Sequence, residues 1–170
     1  MIADCSALIE QEAATLKTLV DEFSQLARFP KAQLAPANLN TIVENAISVF
    51  NGRLEGIRMH LELAPDLPAV NVDPDQFKRV IVNLVDNAAE AMEGSLLKEL
   101  RISTARLSTA ADPRGEFVEV VVADTGPGVS AELKEKLFLP YFSTKKRGTG
   151  LGLAIVSRIL AEHQIGRAHV

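Results

Sequence analysis

Cysteine is nearly absent, with Cys5 standing alone. A single thiol excludes an intramolecular disulfide and a cysteine-rich zinc site, and it suits a reducing compartment, so a cytoplasmic location is expected. A basic excess is also lacking. With 18 Lys and Arg against 22 Asp and Glu, and a net charge of -4, the chain has no broad positive surface of the kind nucleic-acid binding needs. Long apolar runs are missing too. None approaches the roughly 20 residues of a membrane helix, and the opening Met-Ile-Ala-Asp lacks the basic-then-apolar layout of a secretory signal. Direct membrane insertion of this segment is therefore not expected, although a longer parent can be anchored in the inner membrane. Internal repeats and low-complexity tracts are likewise absent.

What is present is 47% hydrophobic content in 170 residues, enough for one domain with a sizeable core plus an appendage. From Ser6 to Arg28 the pattern is helical: Ile9, Leu16 and Phe23 form one seven-residue series, and Ala13, Val20 and Ala27 a second. Such a seam suits a dimerisation helix or an amphipathic helix on its own domain. Phe29-Pro30 ends it, and Lys31 to Ala37 reads as a linker. Asn38 or Asn40 can cap a helix with Ile42, Val43, Ala46, Ile47 and Phe50 on one side. Ile57, Met59, Leu61 and Leu63 then alternate with Arg58, His60 and Glu62 as a strand, His60 falling on its polar face.

Asp73-Pro74-Asp75-Gln76 is a helix start, with Asp as cap, Pro at the first position and Gln placed to close a capping box. The helix is expected to reach about Met92, with Phe77, Val80, Ile81, Leu84, Val85, Ala88 and Ala91 as its apolar stripe. Strands follow at about 100–107 and 117–123, the second apolar enough to be central. Ser130 can cap a short helix through Leu137. Phe138 to Gly150 is a long segment with few periodic apolar positions, and Leu151 to Glu162 is helical again.

Three local features carry chemistry. Asn83 and Asn87 sit one turn apart beside an apolar stripe; they are either exposed polar residues or neutral oxygen ligands for Mg²⁺, which takes its other oxygens from water and substrate phosphate. Asp124-Thr-Gly126-Pro-Gly128 follows a strand directly. It is either an ordinary Asp-Gly turn or a place where backbone approaches a ligand closely and a carboxylate accepts from an exocyclic amine. Gly148-Thr149-Gly150-Leu151-Gly152 precedes a helix and follows Lys145-Lys146-Arg147, so it is a flexible charged loop or a phosphate-binding helix N-terminus. It fits neither the P-loop spacing nor the dinucleotide fingerprint.

In this order and at these separations, the three features resemble the asparagine box and the two glycine boxes of histidine kinase catalytic domains. Phe138-Leu-Pro-Tyr-Phe142-Ser-Thr144-Lys145 stands where that family's phenylalanine box belongs. The wider superfamily includes DNA gyrase, mismatch-repair ATPases and heat-shock chaperones. Leu19 to Pro30 is similar to the second dimerisation helix of nitrogen-regulation-type sensor kinases.

The resemblance implies a two-layer α/β sandwich with a mixed sheet covered on one face by helices. It implies ATP and Mg²⁺ as cofactors, with Asn87 and Asn83 on the metal, Asp124 on the adenine amine, and Gly126 and Gly128 shaping the base pocket. Phe142, Thr144, Thr149 and Leu151 are implied to bind ATP, with Lys145 and the backbone of Gly148, Gly150 and Gly152 covering the phosphates as a mobile lid. Asn83, Asn87 and Lys145 are the implied catalytic residues, for γ-phosphoryl transfer to a histidine. Implied partners are a second copy, through the N-terminal helix of the intact parent, and the receiver domain of a response regulator.

Hydrolytic members of the superfamily carry a glutamate base where Asn83 stands, and an amide cannot accept a proton from water. That favours transfer over an ATP-hydrolysing clamp, with nearby Asp86 keeping the clamp open as a rival. A serine kinase acting on an anti-sigma partner and a nucleotide-binding or dimerisation module without turnover are further rivals. The implied organisation is residues 1–30 as a partial dimerisation domain, 31–37 as linker, 38–163 as a truncated ATP-binding domain and 164–170 as a non-native tail. The acceptor histidine is expected upstream of Met1, and the last core strand that the family carries after the position of His163 is expected to be missing from this chain.

Overall fold

The computed structural model describes residues 30–108, 116–143 and 149–163, together with the isolated positions Ala13, Lys17 and Val20. Those three are helical and exposed. The rest of the N-terminal seam, the turn at 109–115, the loop at 144–148 and the tail at 164–170 lie outside the described residues. The described elements run β1 (Ala35–Ala37), α1 (Leu39–Ile47), a 3-10 turn (Ser48–Phe50), β2 (Arg58–Leu63), β3 (Val70–Val72), α2 (Pro74–Ala91), β4 (Glu99–Ser108), β5 (Glu116–Asp124), α3 (Ala131–Lys134) and α4 (Gly152–Glu162).

β2, β4 and β5 form a mixed sheet in that order. β2 pairs parallel to β4, with Leu61 opposite Ile102. β4 pairs antiparallel to β5, with Ile102 opposite Val122. The parallel step needs a crossover, and α2 supplies it. Leu39, Ile42, Val43 and Ala46 of α1, Phe77, Ile81, Val85 and Ala88 of α2, and Leu100 and Ile102 of β4 form one buried core. Both helices therefore cover one face of the sheet, in the two layers expected. Leu61 points to that face yet is 43% exposed, because β2 is an edge strand among the described residues.

Four details differ from the sequence-based expectation. Ala35–Ala37 is not linker: it pairs antiparallel with β3, Ala35 opposite Val72, and three-residue strands are too short for a period-two signal. Among the described residues β4, not β5, is the central strand. The apolar content of β5 is explained by Val118, Val120 and Val122 packing on the core, while Val121 on the other face is 41% exposed. α3 is only four residues long, and Ser130 makes no side-chain capping bond.

The fourth difference is at the start of α2. Asp73 caps it as expected, Oδ1 accepting from Asp75 N and Gln76 N, both at 3.1 Å. The capping box does not close, because the Asp73 N–H donates instead to His163 Nε2 at 2.9 Å. Gln76 turns away and donates from Nε2 to Pro30 O at 3.0 Å, leaving its Oε1 buried without a partner among the described residues.

Burial opposes the charge on Asp73, but the N–H groups of Gln33, Gln76 and Asp75 outweigh it and hold the carboxyl below its ordinary value of 3.8. A lowered carboxyl stabilises the fold above its unfolded value and loses that contribution as pH falls through the folded one. Asp73→Ala is expected to cost about 1–2 kcal/mol at neutral pH, as lost helix caps do. Urea denaturation at stepped pH checks it: the gap between wild type and variant should hold near neutrality and narrow below about 3.8.

Candidate functional site

α2 brings Asn83, Asn87 and Ala91 onto one line by their four-residue spacing, a stripe about 12 Å long at the helical rise. The Asn83 amide donates from Nδ2 to Arg79 O, one turn back, at 2.9 Å. This back-bond occupies the donor side of the amide and leaves Oδ1 turned toward the start of α4. Gly152, the first residue of α4, meets that oxygen: a Cβ there would lie 3.1 Å from Asn83 Oδ1 and 3.6 Å from Asn87 Nδ2. The lack of a side chain at 152 is what lets the N-terminus of α4 approach the asparagine pair.

The other end of the stripe receives the loop after β5. A Cβ on Gly126 would lie 3.1 Å from Ala91 Cβ and 2.7 Å from Asp124 Oδ1. The Gly126 N–H donates to that same oxygen at 2.8 Å, which fixes the carboxylate at the strand end. Thr125, which sequence reasoning passed over, anchors the loop: its hydroxyl donates to Leu97 O at 2.9 Å and accepts from Glu99 N at 3.0 Å. Gly128 adopts φ 72°, where a side chain would be strained.

Gly150 has φ 69°, and its carbonyl accepts from Tyr141 N at 3.0 Å. This bond joins the two ends of the long loop beside Phe142, which is half-buried. Thr149 is half-buried as well. Leu151 does not face the stripe, since its side chain is fully buried with Val80, Ile155, Val156 and Ile159 between α2 and α4. Thr144, Lys145 and Gly148 lie outside the described residues.

The donor set fits a divalent cation shared with a phosphorylated ligand. Among the described residues no cluster of three or more His, Cys, Asp or Glu could hold a metal ion, so an ion here would rely on amide oxygen and on the ligand's own phosphates. A separate cleft of about 350 Å³ lies on another side of α2, lined by Phe50, Arg53, Ile57, Asp86, Glu90 and Lys98 among others. It includes Asp86 but none of Asn83, Asn87, Asp124 or the glycines of the two loops. Among the described residues no helix is long and apolar enough to cross a membrane.

Comparison with known proteins places this arrangement. Residues 72–170, more than half of the chain, match the family of Histidine kinase-, DNA gyrase B-, and HSP90-like ATPases. The chain belongs to this family. Within it the chain is similar to the catalytic domain of histidine kinase ThkA, at 30% identity and TM-score 0.63, over 77% of this chain and 82% of that one. Among curated proteins it is 35% identical over 164 residues to the sensory histidine kinase/phosphatase NtrB of Rhizobium leguminosarum, covering 92% of this chain and 43% of the relative. It is 31% identical over 159 residues to the nitrogen regulation protein NtrY of Azorhizobium caulinodans, covering 94% and 20%. The chain thus spans less than half the length of these two relatives.

Proposed function

We propose that the chain is the ATP-binding catalytic part of a protein histidine kinase, which transfers the γ-phosphoryl group of ATP to a histidine of the intact parent in a two-component system. The observation that carries this is the single stripe on α2 with Gly126 and Asp124 at one end and Gly152 at the other. Its length suits a nucleotide lying with its base at the first end and its phosphates at the second. Asp124, anchored through Gly126 N–H, accepts from the adenine amine. Asn83 and Asn87 hold Mg²⁺, which when bound neutralises phosphate charge. The N-terminus of α4 offers backbone N–H groups to phosphate oxygens, and Lys145 adds a cation from the loop. The protein then contributes positioning and charge stabilisation rather than covalent chemistry.

An amide at position 83 supports transfer over hydrolysis, because it cannot serve as a base toward water. The curated relatives are sensor kinases, and a ThkA structure similar to this chain at 26% identity and TM-score 0.71 is a complex with the response regulator TrrA. A receiver-domain aspartate as the next phosphoryl acceptor, and dimerisation through the N-terminal helix, follow as parts of the same reading.

Mg²⁺-dependent binding of a fluorescent ATP analogue tests the proposal. Wild type should bind saturably, and Asn87→Ala and Asp124→Ala should each weaken binding about 10- to 100-fold, the scale of hydrogen bonds to charged or ligand groups. Absence of saturable binding by wild-type chain with a cooperative thermal unfolding transition would overturn it.

A further inference from the structure

Asp73 sits where three separated pieces of chain meet. Its N–H donates to His163 Nε2 at 2.9 Å, its Oδ2 accepts from Gln33 N at 2.8 Å, and its Oδ1 caps α2. The bond from Gln76 Nε2 to Pro30 O ties the same turn to the same incoming segment. His163 is only 6% exposed. A backbone N–H can only donate, so Nε2 is bare and the ring hydrogen is on Nδ1, 2.8 Å from Ile159 O. The imidazole therefore joins the last turn of α4 to the first residue of the α2 cap.

α4 lies along α2 in the opposite sense. It begins at Gly152 against Asn83 and Asn87, ends at His163 against Asp73, and shares a packed seam with α2 between those points. Its 11 residues span about 16 Å. A helix this short moves as a rod, so clamping one end sets where the other end sits along its neighbour. A slide of α4 would carry Gly152 off the asparagine pair and break the His163 bond together.

We propose that His163 is a positioning residue for the phosphate end of the site: it holds α4 in register with α2 and, through Asp73, couples that register to Pro30–Gln33, the segment leading into the domain. The second half of this statement needs no nucleotide; the first rests on the function proposed above.

Amide hydrogen exchange on the ligand-free chain reads the coupling. In His163→Ala, exchange should rise roughly five- to tenfold, the effect of one lost hydrogen bond, at Ile155 near the start of α4 and at Gln33 together. His163→Gln, whose side-chain oxygen can accept from Asp73 N–H, should restore both. Faster exchange at Asp73 alone would overturn the proposal. Should His163→Ala unfold, Gln33→Pro removes the N–H given to Asp73 without touching the core; an unchanged Ile155 would then overturn it, and a faster one support it.

Binding reads the consequence. His163→Ala should weaken Mg²⁺-dependent binding of an ATP analogue by a similar factor while leaving adenosine, which meets only the Asp124 end, unaffected. Equal losses for both ligands would show a merely structural role and overturn the positioning claim. Coupled exchange in a chain whose wild type binds no ATP analogue would sink the nucleotide reading and leave the coupling intact.

Discussion

Replacing Leu151 by alanine is expected to destabilise the fold by about 2–5 kcal/mol, the range for emptying a fully buried leucine site. Leu151 is 0% exposed and packs on Val80, Ile155, Val156 and Ile159, so its loss opens a cavity in the seam that holds α4 on α2. Leu151→Met keeps the volume and should cost less than about 1.5 kcal/mol. The two variants separate core from site. If the leucine side chain bound nucleotide directly, Leu151→Met would weaken ATP-analogue binding in a stable protein. The expected result is near-normal binding by Leu151→Met, with a midpoint in urea close to that of wild type.

Gly150→Ala is expected to be comparably damaging, at about 2–5 kcal/mol, for a different reason. The residue has φ 69°, and the left-handed conformation costs a side-chain-bearing residue about 1–2 kcal/mol. Its Cβ would also lie 2.6 Å from Tyr141 C and 2.8 Å from Phe142 N. These are backbone atoms and cannot rotate away, so overpacking adds about 1–3 kcal/mol. Tyr141, itself at φ 64°, has to move, and its bond to Gly150 O opens. Since that bond joins the two ends of the loop at 142–149, binding should suffer beyond the loss of stability. Thermal denaturation paired with ATP-analogue titration below the transition checks this; wild-type stability in Gly150→Ala would show that the close approach is absent.

α2 was legible because its signals agree: an Asp cap, Pro at the first position and a period-3.6 apolar stripe all mark the same span. β4 and β5 were legible within a residue or two for the same reason. β1 and β3 were not. Three residues such as Val70-Asn-Val72 carry too little pattern, and only pairing with each other makes them strands. The failed capping box is instructive in another way. Gln76 stands at the right spacing, but the Asp73 N–H had a competitor 90 residues away in the sequence, and no local pattern contains that information. Asn83, Asn87, Asp124 and Gly126 could be chosen from type and spacing. Leu151 was chosen from its place among glycines, and its side chain lies in the core between α2 and α4. Thr125 and His163 gave no local signal, because their roles depend on the partners that folding brings to them.

The family, the helix that carries the asparagine pair, and the strand-end and helix-start positions of the two glycine loops could all be read from the order of residues. These follow from short-range rules of capping, periodicity and turn chemistry. Folding alone established that Gly126 and Gly152 meet opposite ends of one stripe, that α4 lies against α2 with Leu151 inward, and that Asp73 joins His163 to the entering chain. Those are contacts between segments far apart in the chain. They are set by which apolar faces pack together and by which buried polar groups find partners, and neither is encoded in any one stretch of residues.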